Sequence, residues 1–311
     1  MIYDLRHRTT YKYESPVTYA RCVLRLSPPT DAEQTVLKSA VTVTPTPSHK
    51  LERVGAFGER TLTVVIDKPH RALVVEAKSK IDVHRRPVAA PQDSPPWEAI
   101  REESFGTAGL GPDEPAVYLY PSSRAPLAQP LTDYARDCFP PGRPVVEAAA
   151  ALMTRIRSDF KYDPKATEVS TPTLEAFNAR HGVCQDFAHI MISGLRGLGL
   201  PAAYVSGYIR TIPPPGRPRL QGADATHAWV SLWCGAERGW IGFDPTNAIL
   251  AGDDHIVLAV GRDYTDIAPI DGVILAPGAQ TLKVEVDVIP EGETVEAAPP
   301  VRKRAVSRRR A

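Results

Sequence analysis

Apolar and polar residues alternate from the first positions of the chain. "IYDLRHRTTYKYE" sets Tyr3, Leu5, His7, Thr9, Tyr11 and Tyr13 on one side, the period of two expected of a half-buried strand. "RCVLRLSP", "AVTVTPTP", "RTLTVVID" and "ALVVEAKSKIDVHR" follow, separated by Pro, Gly and Asp turns. Short strands at hairpin spacing predict an antiparallel sheet or small sandwich over residues 1–87. No cluster of titratable groups stands out in it, so a scaffold or recognition role is expected.

The period changes farther along. Residues 88–130, with "PVAAPQDSPPWEA" and "LYPSSRAPLAQP", read as a Pro-rich linker holding at most short helical pieces. From Leu131 the spacing is helical: "PLTDYARDCF" makes one segment, and Val146, Ala149, Met153, Ile156 and Phe160 stripe the next. Thr171 and Pro172 open a third helix that stops at Gly182. A fourth begins at Cys184, carries Phe187, Ile190, Met191, Leu195 and Leu198 on one stripe, and ends at Gly199. "PAAYVSGYI" reads as a buried strand, "HAWVSLWC" and "GWIGFDPTN" as two strands joined by "GAER", and "HIVLAVG" and "TLKVEVDVI" as late strands. These elements make a second unit over residues 131–290 and an α+β fold. The intervening "IPPPGRPRLQGADAT" is expected to be a stiff surface loop. Residues 291–311 run acidic, then Pro-rich, then basic, the composition of a disordered, solubilising tail.

Composition narrows the function. The chain has 311 residues, with 37 basic and 36 acidic side chains and a formal charge of +1, so nucleic acid is not an expected partner. No segment reaches the ~20 apolar residues of a membrane span, and the N-terminus lacks the apolar stretch of a signal peptide; the cytoplasm is the expected compartment. Cys22, Cys138, Cys184 and Cys234 are scattered and form no C-x-x-C pair, so reduced thiols are expected and a structural zinc site is not. "GDDH" at 252–255 is too short for a calcium loop. No metal and no cofactor is expected.

Reduced thiols leave room for a reactive one, and Cys184 has the placement. It follows a Gly-Val turn at the start of a helix, where the dipole favours thiolate over thiol. A nucleophilic cysteine needs a histidine base, and the base a carboxylate to orient it. His181 and His189 sit too close in sequence to face Cys184 across a cleft, although His189 has room to pack beneath it, and His255 lies in an acidic loop. His227 opens a strand whose partner carries Asp244. A hairpin turn centred on Gly235 and Ala236 puts His227 directly opposite Asp244, whereas a turn one residue later puts Trp229 there. Asp186, in the first helical turn, reads as structural. The Cys184 backbone N–H is a natural oxyanion donor; Gln185, Trp229 and Tyr162 are the candidates for a second, and Trp229 and Trp233 for lining the acyl-binding cleft.

"GVCQDFAHI", "THAWVSLW" and "WIGFDPTN" resemble the bacterial transglutaminase-like, cysteine-protease-like family with a papain-like core. The resemblance extends to the N-terminal strands and to "GRDYTDIAPIDGVI". It implies Cys184 as nucleophile, His227 as base and Asp244 as its orienting partner, on a papain-like transglutaminase core preceded by an antiparallel β domain. The implied activity is cysteine-dependent acyl transfer on a peptide, isopeptide or glutamine side-chain amide of a protein or peptide substrate, with hydrolysis preferred over transamidation. Two alternatives compete: a non-catalytic peptide-binding protein on the same fold, and a zinc site built from Cys184, His227 and Asp244.

Overall fold

The computed structural model describes residues 1–106, 109–212, 219–220, 222, 224–275, 277–293 and 295–296. Six strands come first: β1 Ile2–Val17, β2 Tyr19–Ser27, β3 Gln34–Thr44, β4 His49–Val54, β5 Arg60–Ile66 and β6 His70–Val83. Helices α1 Trp97–Phe105, α2 Gln129–Arg136 and α3 Val145–Asp159 follow. The two-residue strand β7 Lys161–Tyr162, helix α4 Thr173–Ala179 and β8 His181–Gly182 lead into α5 Cys184–Gly197. Then come β9 Ala202–Ile209, β10 Arg219–Leu220, β11 Ala225–Trp233, β12 Trp240–Asp244, β13 Ile249–Leu250, β14 His255–Gly261, α6 Tyr264–Ile267, β15 Ile270–Leu275, β16 Gln280–Pro290 and β17 Val295–Glu296.

The N-terminal strands build a sandwich of two four-stranded sheets, β16-β1-β6-β3 and β15-β2-β5-β4. The alternation read in β1 is the one observed: Tyr3, Leu5, His7, Thr9 and Tyr13 are buried. The sandwich takes its outer strands from the far end of the chain, with β15 antiparallel to β2 and β16 antiparallel to β1. The sequence reading placed these late strands with the second unit, and this is a correction. An alternating strand advertises one apolar face and says nothing of which open sheet edge will take it.

The second unit packs α5 on a five-stranded sheet of order β13-β12-β11-β9-β14. Strand β9 is buried on both faces, the reason its sequence is apolar without alternation. Near its start Ala202 and Tyr204 join the core shared with the helices; near its end Tyr208, with Ile256 and Leu258 of β14, joins the core of the sandwich. Gly207 is required here, because a Cβ would meet the Ile256 carbonyl oxygen at 2.1 Å and the Trp229 ring at 2.6 Å. Strand β9 thus contributes to both cores.

Residues 88–130 are integral to that second core, contrary to the linker expectation. Trp97, Ile100 and Ala125 belong to it. The prolines begin and join elements there: Pro96 precedes α1, Pro130 sits in the first turn of α2, and Pro96 bridges Pro144. Arg196 of α5 ties this stretch down from within. Only 2% exposed, its guanidinium donates to the carbonyl oxygens of Ala202, Tyr120 and Arg262 and to the Ser122 hydroxyl. The loop read at "IPPPGRPRLQGADAT" and the tail lie largely outside the described residues. Among the described residues no helix is long and apolar enough to cross a membrane.

Two predictions follow from these buried polar groups. Arg196→Met leaves several buried carbonyls without donors, and should cost about 3–5 kcal/mol in urea unfolding. The second concerns acid. Burial pushes His7, bonded to Tyr208 and Thr9, down to about 4, and His189 down to about 3. An unfolded histidine takes up its proton near 6.5, so below that pH the unfolded chain binds protons that the folded chain refuses. Stability should therefore fall as pH drops from 6.5 toward 4, by about 1.4 kcal/mol per pH unit for each buried histidine. His7→Gln, which keeps hydrogen-bonding capacity without titrating, should flatten that slope by roughly half in urea midpoints measured from pH 7 to 4.5.

Candidate active site

The site forms where the N-terminus of α5 meets the sheet. Strand β8 enters α5 through Val183, whose N–H donates to the Asp186 carboxylate at 2.8 Å. The Thr167 hydroxyl donates to the same carboxylate at 2.7 Å. Burial pushes the Asp186 carboxyl up from its usual range, and these two hydrogen bonds pull part of the way back. Asp186 is the structural residue the sequence suggested: it closes the first turn and fixes where Cys184 emerges. Gly182 lets it sit there, since a Cβ would lie 2.6 Å from its Oδ2.

Cys184 is the first residue of α5 and is partly exposed. Beside it stands His227 of β11, 7% exposed, and behind that Asp244 at the end of β12, fully buried. His227 Nε2 lies 2.7 Å from Asp244 Oδ2. The Cys184 side chain stands close enough to the imidazole to favour its protonation; with Nε2 committed to the carboxylate, Nδ1 is the nitrogen left to face sulfur. The three residues are brought together as a Cys–His–Asp row running from solvent into the interior.

The strand register is not the one expected. Trp233 pairs with Trp240 and Val230 with Phe243, so the connection is longer than the turn at Gly235 and Ala236 and the ladder is offset by two residues. In this register Trp229, not His227, falls opposite Asp244. His227 reaches the carboxylate diagonally on the same face, across the roughly 7–8 Å that separates such neighbours, because imidazole is long enough to span it.

The electrostatics follow from this packing. Burial opposes charge on His227, yet the hydrogen bonds to Asp244 and Cys184 and their negative charges outweigh it and hold the imidazole at about 9. Burial likewise opposes ionisation of Asp244, and the hydrogen bonds from His227, His255 and Asn247 overcome it, keeping the carboxyl well below its usual range. At neutral pH the pair is therefore imidazolium and carboxylate.

Asp244 holds more partners than the sequence disclosed. Its Oδ1 accepts from the Thr246 and Asn247 backbone N–H groups at 2.9 and 3.2 Å. Its Oδ2 accepts from Asn247 Nδ2 at 2.7 Å and from His255 Nε2 at 3.3 Å, besides His227. The signal for Asn247 was present in "DPTN", where an Asp bonds its own turn. His255 carried none, because β14 reaches the site only through its place in the sheet, next to β9.

The remaining candidates separate. Trp229 is buried at 1% exposure, with its ring 6.1 Å from His227 and edge-on to His255 at 5.2 Å; it is a wall for the histidines and does not line an open cleft, and Trp233 is buried as well. Gln185 Nε2 donates to the Val169 carbonyl at 3.3 Å, which turns its amide to the neighbouring loop. Tyr162 is half-exposed, packs edge-on against Phe187, and feels the Cys184 charge. His189 does pack inside α5: it stacks on Tyr204 at 4.9 Å and accepts the Tyr264 N–H.

As to metals, among the described residues the set whose ligand atoms converge is His227, Asp244 and His255, all within 4.8 Å, and not the Cys184 set. Gly252 N–H donates to His255 Nδ1 at 3.2 Å, so the His255 proton sits on Nε2 and points at Asp244. An ion there would have to displace both histidine protons from one carboxylate oxygen. The donor set is satisfied by hydrogen bonding as it stands.

The comparisons with known proteins agree with this architecture. Residues 3–82 match the bacterial transglutaminase-like N-terminal region and residues 132–245 the transglutaminase-like superfamily. An uncharacterized protein of Mycobacterium tuberculosis is 37% identical over 303 residues, covering 95% of each chain. A protein-glutamine gamma-glutamyltransferase of Pseudomonas aeruginosa is 33% identical over 129 residues, 39% of this chain and 18% of that one. A solved chain from Cytophaga hutchinsonii, named a putative cysteine protease, shares the fold with a TM-score of 0.71 at 20% identity, covering 95% of this chain and 93% of that one. By sequence over nearly its whole length and by fold, the chain belongs to the transglutaminase-like superfamily and carries the bacterial N-terminal region of that family.

Proposed function

We propose that the protein is a cysteine-dependent acyl-transfer enzyme that cleaves a peptide, isopeptide or glutamine side-chain amide of a protein or peptide substrate, with water as acceptor. The observation that carries this reading is the imidazole of His227 held between the Asp244 carboxylate and the Cys184 thiol. The gradient of exposure supports it too: the sulfur meets solvent, while its partners are kept from water.

In the first half-reaction the thiol proton already rests on His227, and Cys184 Sγ attacks the amide carbonyl as the thiolate of that ion pair. The oxyanion forms at the head of α5, where the first N–H groups have no intrahelical partner, and Tyr162, which feels the Cys184 charge, is the candidate side-chain donor. The C–N bond then breaks, His227 passes its proton to the leaving amine, and a thioester on Cys184 remains. In the second half-reaction His227 takes a proton from water, hydroxide attacks the thioester, and the acid leaves as the thiolate–imidazolium pair is restored. An amine in place of water gives transamidation by the same steps. The glutamyltransferase name of the Pseudomonas relative supports that second reading. A non-catalytic binding role has no use for a complete row of this kind.

Glutamine-containing peptides, with and without an added primary amine, test the acceptor: ammonia release without amine incorporation supports hydrolysis, and incorporation supports transamidation. Cys184→Ala and His227→Ala should each lower kcat/KM by about 10³-fold or more, and Asp244→Ala by about 10²–10⁴-fold. Iodoacetamide should modify wild-type Cys184 rapidly below pH 7 and His227→Ala slowly; equal rates sink the reading. The pH profile carries a sign as well. His227 loses its proton as pH rises through about 9, so the alkaline limb of kcat/KM should lie there. Asp244→Asn removes a charge that raises the imidazole while burial still opposes its protonation, and the limb should move down by about one unit or more.

A further inference from the structure

We propose that His255 is a positioning residue of this centre, acting through Asp244, and that the N-terminal sandwich holds it there through Gln34. The proposal rests on the acyl-transfer reading above and extends it to a part of the chain far from Cys184.

Three observations converge. First, His255 is 1% exposed and sends Nε2–H to Asp244 Oδ2, the same oxygen that His227 uses. Its other nitrogen accepts the Gly252 N–H, which leaves one tautomer and one aim. Second, the strand that His255 begins is clamped from the sandwich. Gln34, fully buried, donates from Nε2 to the Val257 carbonyl at 2.9 Å and accepts the Val257 N–H on Oε1 at 2.9 Å. That reciprocal pair extends the hydrogen bonding of β14 with a side chain from β3. Arg85, just past β6, donates to the His255 carbonyl at 3.3 Å, and its backbone N–H donates to Asp253. Tyr3 of β1 donates to Asp254 at 2.8 Å. Third, Ile256 and Leu258 are part of the sandwich core itself, so β14 cannot move without opening it.

The charged and titratable groups around His255 are few. His227 and Asp244 face its ring from β11 and β12. Arg85 reaches its carbonyl, and Glu33 pairs with Arg85. Asp253 and Asp254 precede it, held by Arg85, Tyr3 and Arg210. Among these, only His227 and Asp244 belong to the proposed reaction.

The direction of the effect follows from electrostatics. The Asp244 carboxylate is already oriented by Asn247 and two backbone N–H groups, so His255 is not needed merely to keep it from turning. Its N–H dipole points its positive end at Oδ2 and draws negative potential away from His227. Without that donor Asp244 attracts a proton on His227 more strongly, and the imidazolium persists to higher pH.

The experiment reads the NMR titration of the His227 imidazole against pH in the full chain, with thermal melts confirming folded protein. In His255→Phe the His227 midpoint should move up by about half a pH unit or more. His255→Gln, whose amide can donate to Oδ2, should return it toward the wild-type value. Gln34→Leu should move it the same way, and should add nothing in a His255→Phe background, the non-additivity expected of residues acting through one contact. An unmoved or lowered midpoint in His255→Phe overturns the role of His255. A Gln34→Leu shift that persists in the double variant overturns the path through His255. Should His255→Phe not fold, imidazole ¹⁵N shifts in the wild type decide: the proton belongs on Nε2, and a proton on Nδ1 overturns the proposal. A wild-type Cys184 whose alkylation is indifferent to His227→Ala defeats the enzymatic reading instead, and the ¹⁵N result still reports on His255 alone.

Discussion

One carboxylate oxygen organises the centre of this molecule. Asp244 Oδ2 receives hydrogen bonds from His227, Asn247 and His255 in a place with no solvent exposure. A buried anion is costly unless its lone pairs are met, and here they are met by groups from β11, from the turn after β12 and from β14. The interaction that keeps Asp244 ionised is also the one that holds His227 charged beside Cys184. The balance reaches outward, because the two histidine donors must be delivered by different strands, and a sheet that slipped by one residue would point every side chain to the other face.

That demand gives the N-terminal sandwich a structural meaning. It is closed by strands from the end of the chain, and it takes Tyr208, Ile256 and Leu258 from the other sheet into its own core. The polar contacts at the junction are specific and buried: Gln34 with Val257, His7 with Tyr208, and Asp224 with the Thr211 and Val288 N–H groups. Asp224 lies immediately before β11, and His255 begins β14, so the sandwich meets the approaches to both strands that carry a site histidine. The sandwich is therefore part of the frame of the site.

The proline-rich stretch from 88 to 130 shows how composition misleads when geometry is unknown. Proline lacks an N–H and resists helix interiors, which makes a dense run look like a spacer. Here prolines stand at helix starts and bridge one another, positions where the missing donor costs nothing. Trp97 and Ile100 between them are core residues, and Arg196 binds the segment's carbonyls from inside α5.

The sequence alone determined what is local. Alternation marked β1 and its buried face, helical spacing marked α3 and α5, and an unbroken apolar run marked β9, because these patterns follow from the repeat of a single element. The order of Cys184, His227 and Asp244, each in a distinctive short motif, likewise pointed to one site. Only the tertiary structure decided what depends on two elements meeting: the two-residue offset between β11 and β12, the edges to which β15 and β16 add, the burial of Trp229, and the arrival of His255 at Asp244. A strand's pattern encodes which side faces inward, whereas its register and neighbours come from packing against parts of the chain remote in sequence, and no local repeat carries that information.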